Sequence, residues 1–197
     1  MKRGFDLVVA AVALALASPV IAVAAIAVKL DSRGPAFFSG PRVGRDGAVF
    51  QIHKVRTMSV GAPGTGPAVT AGDDPRITRV GRFLRRAKLD ELPQLLNVLK
   101  GEMSLVGPRP EHPRYVEHYT AEQRRLLSVR PGITGPAALA FLDEEDVLSG
   151  GQAEARYLGE VMPLKLELEL RYLEGATLAT DIDILLRTAG AVILRRR

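Results

Sequence analysis

A chain of 197 residues with 47% hydrophobic content and no cysteine can bury one core, and it excludes both a disulfide scaffold and cysteine-ligated zinc. Lys and Arg number 27 against 22 Asp and Glu, a net charge of +5, which selects anionic partners: nucleic acid, phosphate esters or a membrane face. Aromatic content of 5% with no Trp argues against stacking platforms for single-stranded nucleic acid.

From Leu7 to Val28 no residue is charged, and roughly 20 apolar residues suffice to cross a bilayer as a helix. Lys2 and Arg3 precede this run and Lys29 and Arg33 follow it, so the charges give no orientation and suit a segment with both ends on one side. Ser18-Pro19 lies near the middle, where proline removes a donor and serine can bond back to a carbonyl. A kinked span and a re-entrant hairpin are both open. The Ala22-Val23-Ala24 and Ala25-Ile26-Ala27 triplets resemble a signal-peptide cleavage site, but Asp6 and the unbroken run to Val28 argue against cleavage.

Residues 34–58 read as short extended pieces, with a strand over Ala48–Ile52 and turns at Gly40-Pro41 and Asp46-Gly47. Residues 61–72, rich in Gly and Pro, read as a mobile surface loop. Helical spacing appears at Thr78–Arg86 and at Leu92, Leu95, Leu96 and Leu99, with Gly101 as a stop. Glu111–Val129 reads as one basic helix, and further helices follow from Ala153. Leu164, Leu166, Leu168 and Leu170 alternate with charged residues, a strand pattern written in good helix formers. Ile182–Leu194 suits either a buried helix or one lying at a membrane interface, with Arg195, Arg196 and Arg197 meeting lipid phosphates.

The densest polar cluster gathers Arg76, Arg79, Arg82, Arg85, Arg86, Lys88 and Arg109 around Asp90-Glu91. Asp90 falls at an expected helix start with Pro93 in the first turn, where the dipole favours negative charge and the cations favour phosphate. The same cations are expected to keep Asp90 ionised, as a nucleophilic carboxylate requires. Neighbours on a helix point about 100° apart, so the pair cannot flank a glycosidic bond. They can divide labour, one attacking phosphorus and the other holding Mg2+. Arg109 between Pro108 and Pro110, Arg130 before Pro131, and Lys54 with Arg56 on one face of an extended segment are further anion-binding candidates. The histidines lack metal-ligand spacing, and no Walker loop or dinucleotide fingerprint appears.

Together these motifs identify a resemblance to the bacterial sugar transferases, the monotopic polyprenyl-phosphate phosphoglycosyl transferases, in their small catalytic-core form. The residues that carry it are Ser18-Pro19, Lys54-x-Arg56-Thr57-Met58, Asp74-Pro75-Arg76-x-Thr78-x-x-Gly81-x-Phe83-Leu84-Arg85, Leu89-Asp90-Glu91-Leu92-Pro93-Gln94, Val106-Gly107-Pro108-Arg109-Pro110 and Arg130-Pro131-Gly132-Ile133-Thr134-Gly135. The resemblance implies an α+β, mostly helical fold. Residues 1–33 would form a re-entrant membrane helix broken at Ser18-Pro19, and residues 34–197 one cytoplasmic catalytic unit with a small β element and interfacial amphipathic helices. It implies helix rather than strand for Glu167–Leu173.

The resemblance further implies a reaction. Asp90 would take a sugar phosphate from a nucleoside-diphosphate sugar, usually a UDP-sugar, and release the monophosphate. A polyprenyl phosphate, typically undecaprenyl phosphate, would then receive it, initiating a surface glycan at the cytoplasmic face of the bacterial inner membrane. Glu91 and Asp90 would hold Mg2+, and Lys54, Arg56, Arg76, Arg82, Arg85, Lys88, Arg109 and Arg130 would bind substrate phosphate. Membrane lipids are expected partners and nucleic acid is not; the oligomeric state is not specified. A non-catalytic membrane-anchored module binding anionic lipid or nucleic acid is the alternative. Residues 136–146 depart from the pattern, so sugar contacts do not transfer there.

Overall fold

The computed structural model describes residues 1–61 and 69–194. Most of the expected loop at 61–72, namely 62–68, and the Arg195–Arg197 end lie outside the described residues.

The apolar run forms a single helix, α1 (Lys2–Asp31), that continues through Pro19. The expected break at Ser18-Pro19 does not interrupt it: Ser18 Oγ donates to the Ala15 carbonyl at 2.8 Å, and the surrounding turns carry the helix past the missing donor. Val8, Val12, Leu16, Val23, Ile26 and Leu30 stay exposed, an apolar stripe of helical spacing. The opposite face buries Asp6, Ala10, Ala24 and Val28, on both sides of Pro19.

Polar contacts fix each end of α1. Asp6 accepts from Ser104 Oγ at 2.8 Å and from Leu105 N–H. The Arg3 guanidinium donates to the Val98 carbonyl at 2.8 Å, and Lys2 pairs with Asp181. At the other end Asp31 accepts the Val80 N–H at 3.0 Å. The basic residue Lys29 donates to the Gly34 carbonyl at 3.1 Å. Several of the charges that flank the apolar run are therefore tertiary anchors.

An antiparallel hairpin follows, β1 (Phe37–Val43) and β2 (Val49–Val55), with Phe37 opposite Val55. Asp46 and Gly47 take left-handed turn conformations (φ 58° and 78°), as their residue types allow. The strand is longer than expected and reaches Lys54. Helix α2 (Arg79–Arg86) is capped by Thr78, whose Oγ1 accepts the Gly81 N–H. A 3-10 turn (Leu89–Gln94) and α3 (Leu95–Lys100) come next, and Gly101 at φ 89° stops the helix. The single helix expected from Leu92 is thus entered through a tighter segment containing Pro93, which has no N–H to give.

Strand β3 (Ser104–Val106) precedes α4 (Pro113–Val116), and the helix expected over Glu111–Val129 is not continuous. Thr120 and Gln123 cap each other, N–H to side chain in both directions at 2.9 and 3.2 Å, so the chain restarts as a 3-10 segment, Gln123–Ser128. Strand β4 (Gly132–Thr134) runs parallel to β3. Short helices α5 (Pro136–Ala140), α6 (Glu144–Val147) and α7 (Ala153–Arg156) lead through a π turn to α8 (Met162–Gly175) and α9 (Leu178–Leu194). The alternating Leu–charge segment is helical in α8. Its buried set, Met162, Lys165, Leu166 and Glu169, follows helical spacing, and two charged residues sit on the core face. On α9, Asp181 and Ile184 are buried while Ile182, Leu186 and Leu194 are exposed, so the helix has a core face and an uncovered apolar side.

One core cluster gathers around Tyr115, Leu148, Tyr157 and Leu166. A second joins Ala10 of α1 to Val98, Met103 and Leu105, and a third joins Ala24 and Val28 to Val55 and Leu84. The catalytic candidates lie where β2, the 3-10 turn and the β3 exit converge.

Candidate active site

Lys88 takes a left-handed conformation, φ 54°, between α2 and the 3-10 turn. An unbranched non-glycine residue pays about 1 kcal/mol or more for this conformation. The reversal delivers Asp90 and Glu91 to the inner side of the turn, where Asp90 is only 5% exposed.

Glu91 is held from two directions. Lys54 Nζ on β2 donates to its Oε1 at 2.8 Å, and Arg109 Nη2 donates to the same oxygen at 2.7 Å. Arg109, Lys54 and Lys88 hold its carboxyl well below the usual carboxylate range against the pull of burial. Asp90 behaves differently. Burial pushes its carboxyl up and the Glu91 charge adds to this, with Lys54, Arg85 and Lys88 opposing. Asp90 is thus pulled in two directions, burial and Glu91 disfavouring its charged form and the surrounding cations favouring it.

Arg109 is aimed by backbone chemistry. Gly107 N–H donates to Thr134 O at 3.0 Å and Gly132 N–H to Pro108 O at 2.8 Å. The Gly107-Pro108 and Pro131-Gly132 segments of the sequence are thus neighbours alongside the β3–β4 pair. A Cβ at Gly132 would meet Gly107 N at 2.2 Å, so this close parallel pairing requires glycine. Beside it, the Arg109 N–H donates to Glu169 Oε1 at 2.8 Å. Glu169, 2% exposed, has its carboxyl pushed up to about 8 by burial.

The other candidate cations divide. Arg85 faces the dyad: it opposes the upward shift of Asp90, donates to Thr57 Oγ1 at 2.9 Å and pairs with Glu145 at 2.6 Å. Lys88 belongs to the site by its charge, although burial lowers its affinity for the proton. Arg82 is exposed on α2. Arg76 forks onto Asp74 of its own turn. Arg130 Nε donates to the Gly101 carbonyl at 2.8 Å, at the far end of α3.

Arg56 is 6% exposed and donates to the Pro35, Ser32 and Met58 carbonyls and to Ser32 Oγ. Its fork clamps the end of α1 to the hairpin. Spacing alone put it beside Lys54; Arg56 lies just past the end of β2 at Val55, and its side chain reaches Ser32 and Pro35 while that of Lys54 reaches Glu91.

The sequence reading omits Arg42, whose charge is felt at Glu111, Arg109 and Glu91, and a buried network behind Arg109. Lys165 pairs with Glu144 at 2.9 Å and Glu111 at 3.7 Å, and Tyr157 bonds to Glu111. Extending the expected helix back from Glu167 to Lys165 exposes the signal, because Lys165 and Glu169 are one turn apart on the face of Met162 and Leu166. The divergent segment 136–146 supplies Glu144 and Glu145, so it borders the dyad.

Among the described residues no group of three or more His, Cys, Asp or Glu converges as a metal cage. Asp90 and Glu91 can supply one or two carboxylates, which is how Mg2+ is usually held beside substrate phosphates. A cation bound beside Asp90 would add to Lys54, Arg85 and Lys88 in offsetting the Glu91 charge.

A family model described as "Bacterial sugar transferase" matches residues 1–195. The chain belongs to the bacterial sugar transferases. Among the curated members of this family, it is 42% identical to the UDP-glucose:undecaprenyl-phosphate glucose-1-phosphate transferase of Caulobacter vibrioides over 195 residues, 98% of this chain and 69% of that protein. It is 40% identical to the Escherichia coli protein of the same name, covering 95% of this chain and 39% of the relative. It is 36% identical to the UDP-N-acetylgalactosamine-undecaprenyl-phosphate N-acetylgalactosaminephosphotransferase of Aeromonas hydrophila, covering 98% and 44%. The chain thus spans less than half the length of the latter two relatives.

Proposed function

We propose that this sugar transferase moves a sugar 1-phosphate from a UDP-sugar to undecaprenyl phosphate through an aspartyl-phosphosugar intermediate on Asp90. The observation that carries the reading is the asymmetry of the dyad: adjacent carboxylates ringed by cations, one clamped as an anion by Lys54 and Arg109 and the other with no such ion pair among the described residues. The relatives' names supply the donor and acceptor classes.

An Asp90 oxygen attacks the β-phosphorus of the donor, forming an O–P bond as the bond to the α-phosphate bridging oxygen breaks. UMP departs with that electron pair. An oxygen of the acceptor phosphate then attacks the same phosphorus, forming the diphosphate bond and returning Asp90 to a carboxylate. Lys54 and Arg109 keep Glu91 fixed, while Arg85 and Lys88 offset charge on the donor phosphates. Asp90 and Glu91 would hold Mg2+, which neutralises diphosphate charge and stabilises the leaving phosphate when bound. Ping-pong kinetics follow.

A re-entrant α1 fits this function, with both ends and the domain on the cytoplasmic face of the bacterial inner membrane. In its support, the domain covers α1 on both sides of Pro19, whereas a perpendicular span would draw these polar anchors into hydrocarbon. Such an enzyme would initiate a surface glycan. The non-catalytic lipid-binding alternative is not favoured, given the family and its transferase relatives.

UMP release from a panel of UDP-sugars by the purified full chain with Mg2+ tests the reading. Sustained release only with undecaprenyl phosphate is expected, and Glu91→Gln should raise the Mg2+ concentration needed for half-maximal rate. Silence across a broad panel from folded protein, or an unchanged Mg2+ titration in Glu91→Gln, would contradict the transfer or the metal role respectively.

A further inference from the structure

The hairpin carries a second cation toward the site. Arg42 on β1 stands opposite Phe50 on β2, and Phe38 stands opposite Lys54. Directly opposed residues share a face of an antiparallel pair, and so do residues two apart along a strand. Arg42 and Lys54 therefore share one face, with about 13 Å of strand between their positions. Gly40 and Ile52 lie between them, so these two residues are the charges of that face. The Val43 N–H donates to the Glu111 carbonyl at 2.9 Å, which holds this end of β1 against the chain just beyond Arg109.

The cations differ in what they meet. Lys54 and Arg109 close on Glu91, and Arg85 closes on Glu145. Arg42 forms no ion pair among the described residues; its guanidinium donates to the carbonyl of its neighbour Pro41 at 2.7 Å. The Glu111 carboxylate nearby is taken by Tyr157 and Lys165. Burial lowers the Arg42 pKa and the Arg109 charge lowers it further, against the pull of Glu111 and Glu91. A half-buried guanidinium left in this way is matched by an anion from outside the chain.

Its position selects which anion. The charges that weigh most on Asp90 are Lys54, Glu91, Arg85 and Lys88, whereas Arg42 feels Glu111, Arg109 and Glu91. Arg42 thus lies on the Glu91 side of the dyad. In-line displacement puts the attacking and leaving oxygens on opposite sides of phosphorus, so with Asp90 attacking the β-phosphorus the α-phosphate extends away from Asp90.

We infer that Arg42 grips the α-phosphate of the nucleotide donor and holds it as it becomes the monophosphate product. This deepens, and rests on, the transfer reading above. As the bond between the β-phosphorus and the bridging oxygen breaks, its electron pair stays on that oxygen and the α-phosphate gains a negative charge. A forked guanidinium meets two of its oxygens at once. Arg42 acts in the first half-reaction alone, because in the second the acceptor phosphate attacks after the nucleotide has left.

The test separates the two half-reactions of the full chain in detergent with Mg2+. Arg42→Gln should slow formation of the Asp90 adduct from a UDP-sugar roughly 10²-fold. It should raise the dissociation constant of UMP about tenfold, while the adduct, once formed, is discharged to undecaprenyl phosphate at the wild-type rate. Uridine, which has no phosphate, should bind both chains equally. Arg42→Lys keeps the charge without the fork and should fall between the two on both readings, which keeps the test decisive if the glutamine variant does not fold. Unchanged adduct formation and UMP binding, an equal slowing of discharge, or an equal loss of uridine binding would overturn the assignment. Weaker UMP binding in the variant, beside a wild-type chain that forms no adduct, would keep Arg42 as a phosphate ligand and remove the covalent step. Equal adduct formation in both chains would leave the transfer reading standing and remove Arg42 from it.

Discussion

Asp90→Asn separates what the side chain does for catalysis from what it does to stability. Burial and Glu91 raise the Asp90 pKa, so the folded state disfavours its ionised form. The stability this group contributes is complete below the ordinary carboxylate value and is lost as pH rises through the raised one. Asparagine does not ionise. The variant should therefore melt at a temperature about 2–4 °C above wild type at pH 7 if about 1 kcal/mol is recovered, with the difference shrinking on acidification. Transfer should fall roughly 10³-fold or more. Thermal unfolding at several pH values checks the first statement and UMP release the second. Glu169 obeys the same sign: its pKa of about 8 means stability is present below the ordinary Glu value and lost as pH climbs through about 8. Glu169→Gln keeps an oxygen for the Arg109 N–H, so it should retain most activity while flattening the melting temperature between about pH 5 and 8. Loss of activity with an unflattened profile would mean that the charge, not the acceptor oxygen, positions Arg109.

At the scale of elements, the hairpin and α1 are joined through Arg56. Arg56→Lys loses the planar fork that serves Ser32, Pro35 and Met58, at a cost of about 2 kcal/mol of stability. The KM for the donor should remain unchanged; a raised KM with unchanged stability would return Arg56 to the phosphate-binding set. Element by element, the sequence was legible where one local signal dominated. Thr78 and Gly101 mark α2 and α3 ends by capping chemistry, and the apolar run marks α1. Where two signals competed, it was ambiguous in α8, which the resemblance settled correctly as helix, and wrong in residues 111–129. The Leu–charge alternation in α8 carries a strand period, but Lys165 and Glu169 find partners only on the buried face of a helix. In residues 111–129 the basic periodicity hides the Thr120–Gln123 cap that restarts the chain. Within the site, Asp90-Glu91 and Arg109 were legible from motif spacing. Arg42 and Glu169 were not, because they are far from the dyad in sequence: Arg42 comes from β1 of the hairpin and Glu169 from α8, where it accepts the Arg109 N–H.

For the whole molecule, the anchors at both ends of α1 predict a single-sided topology. Cysteines introduced near Met1 and beyond Ser32 should both be modified from the cytoplasmic side of intact cells and neither from outside. Labelling from opposite sides would mean that α1 spans. Since α1 stays helical through Pro19 and is tied by Asp6, Arg3 and Asp31, Pro19→Ala alone should leave the two ends on one side. Central to the proposed mechanism is the charge asymmetry at the dyad, on which Asp90 is proposed as the group that carries the sugar phosphate. The most direct measurement is the intact mass of the full chain incubated with a UDP-sugar panel and Mg2+ without acceptor lipid. A mass increase equal to one sugar phosphate, mapped to Asp90, discharged by undecaprenyl phosphate and absent in Asp90→Asn, is the predicted result. UMP release that needs the lipid from the first turnover, with no adduct on the protein, would contradict it.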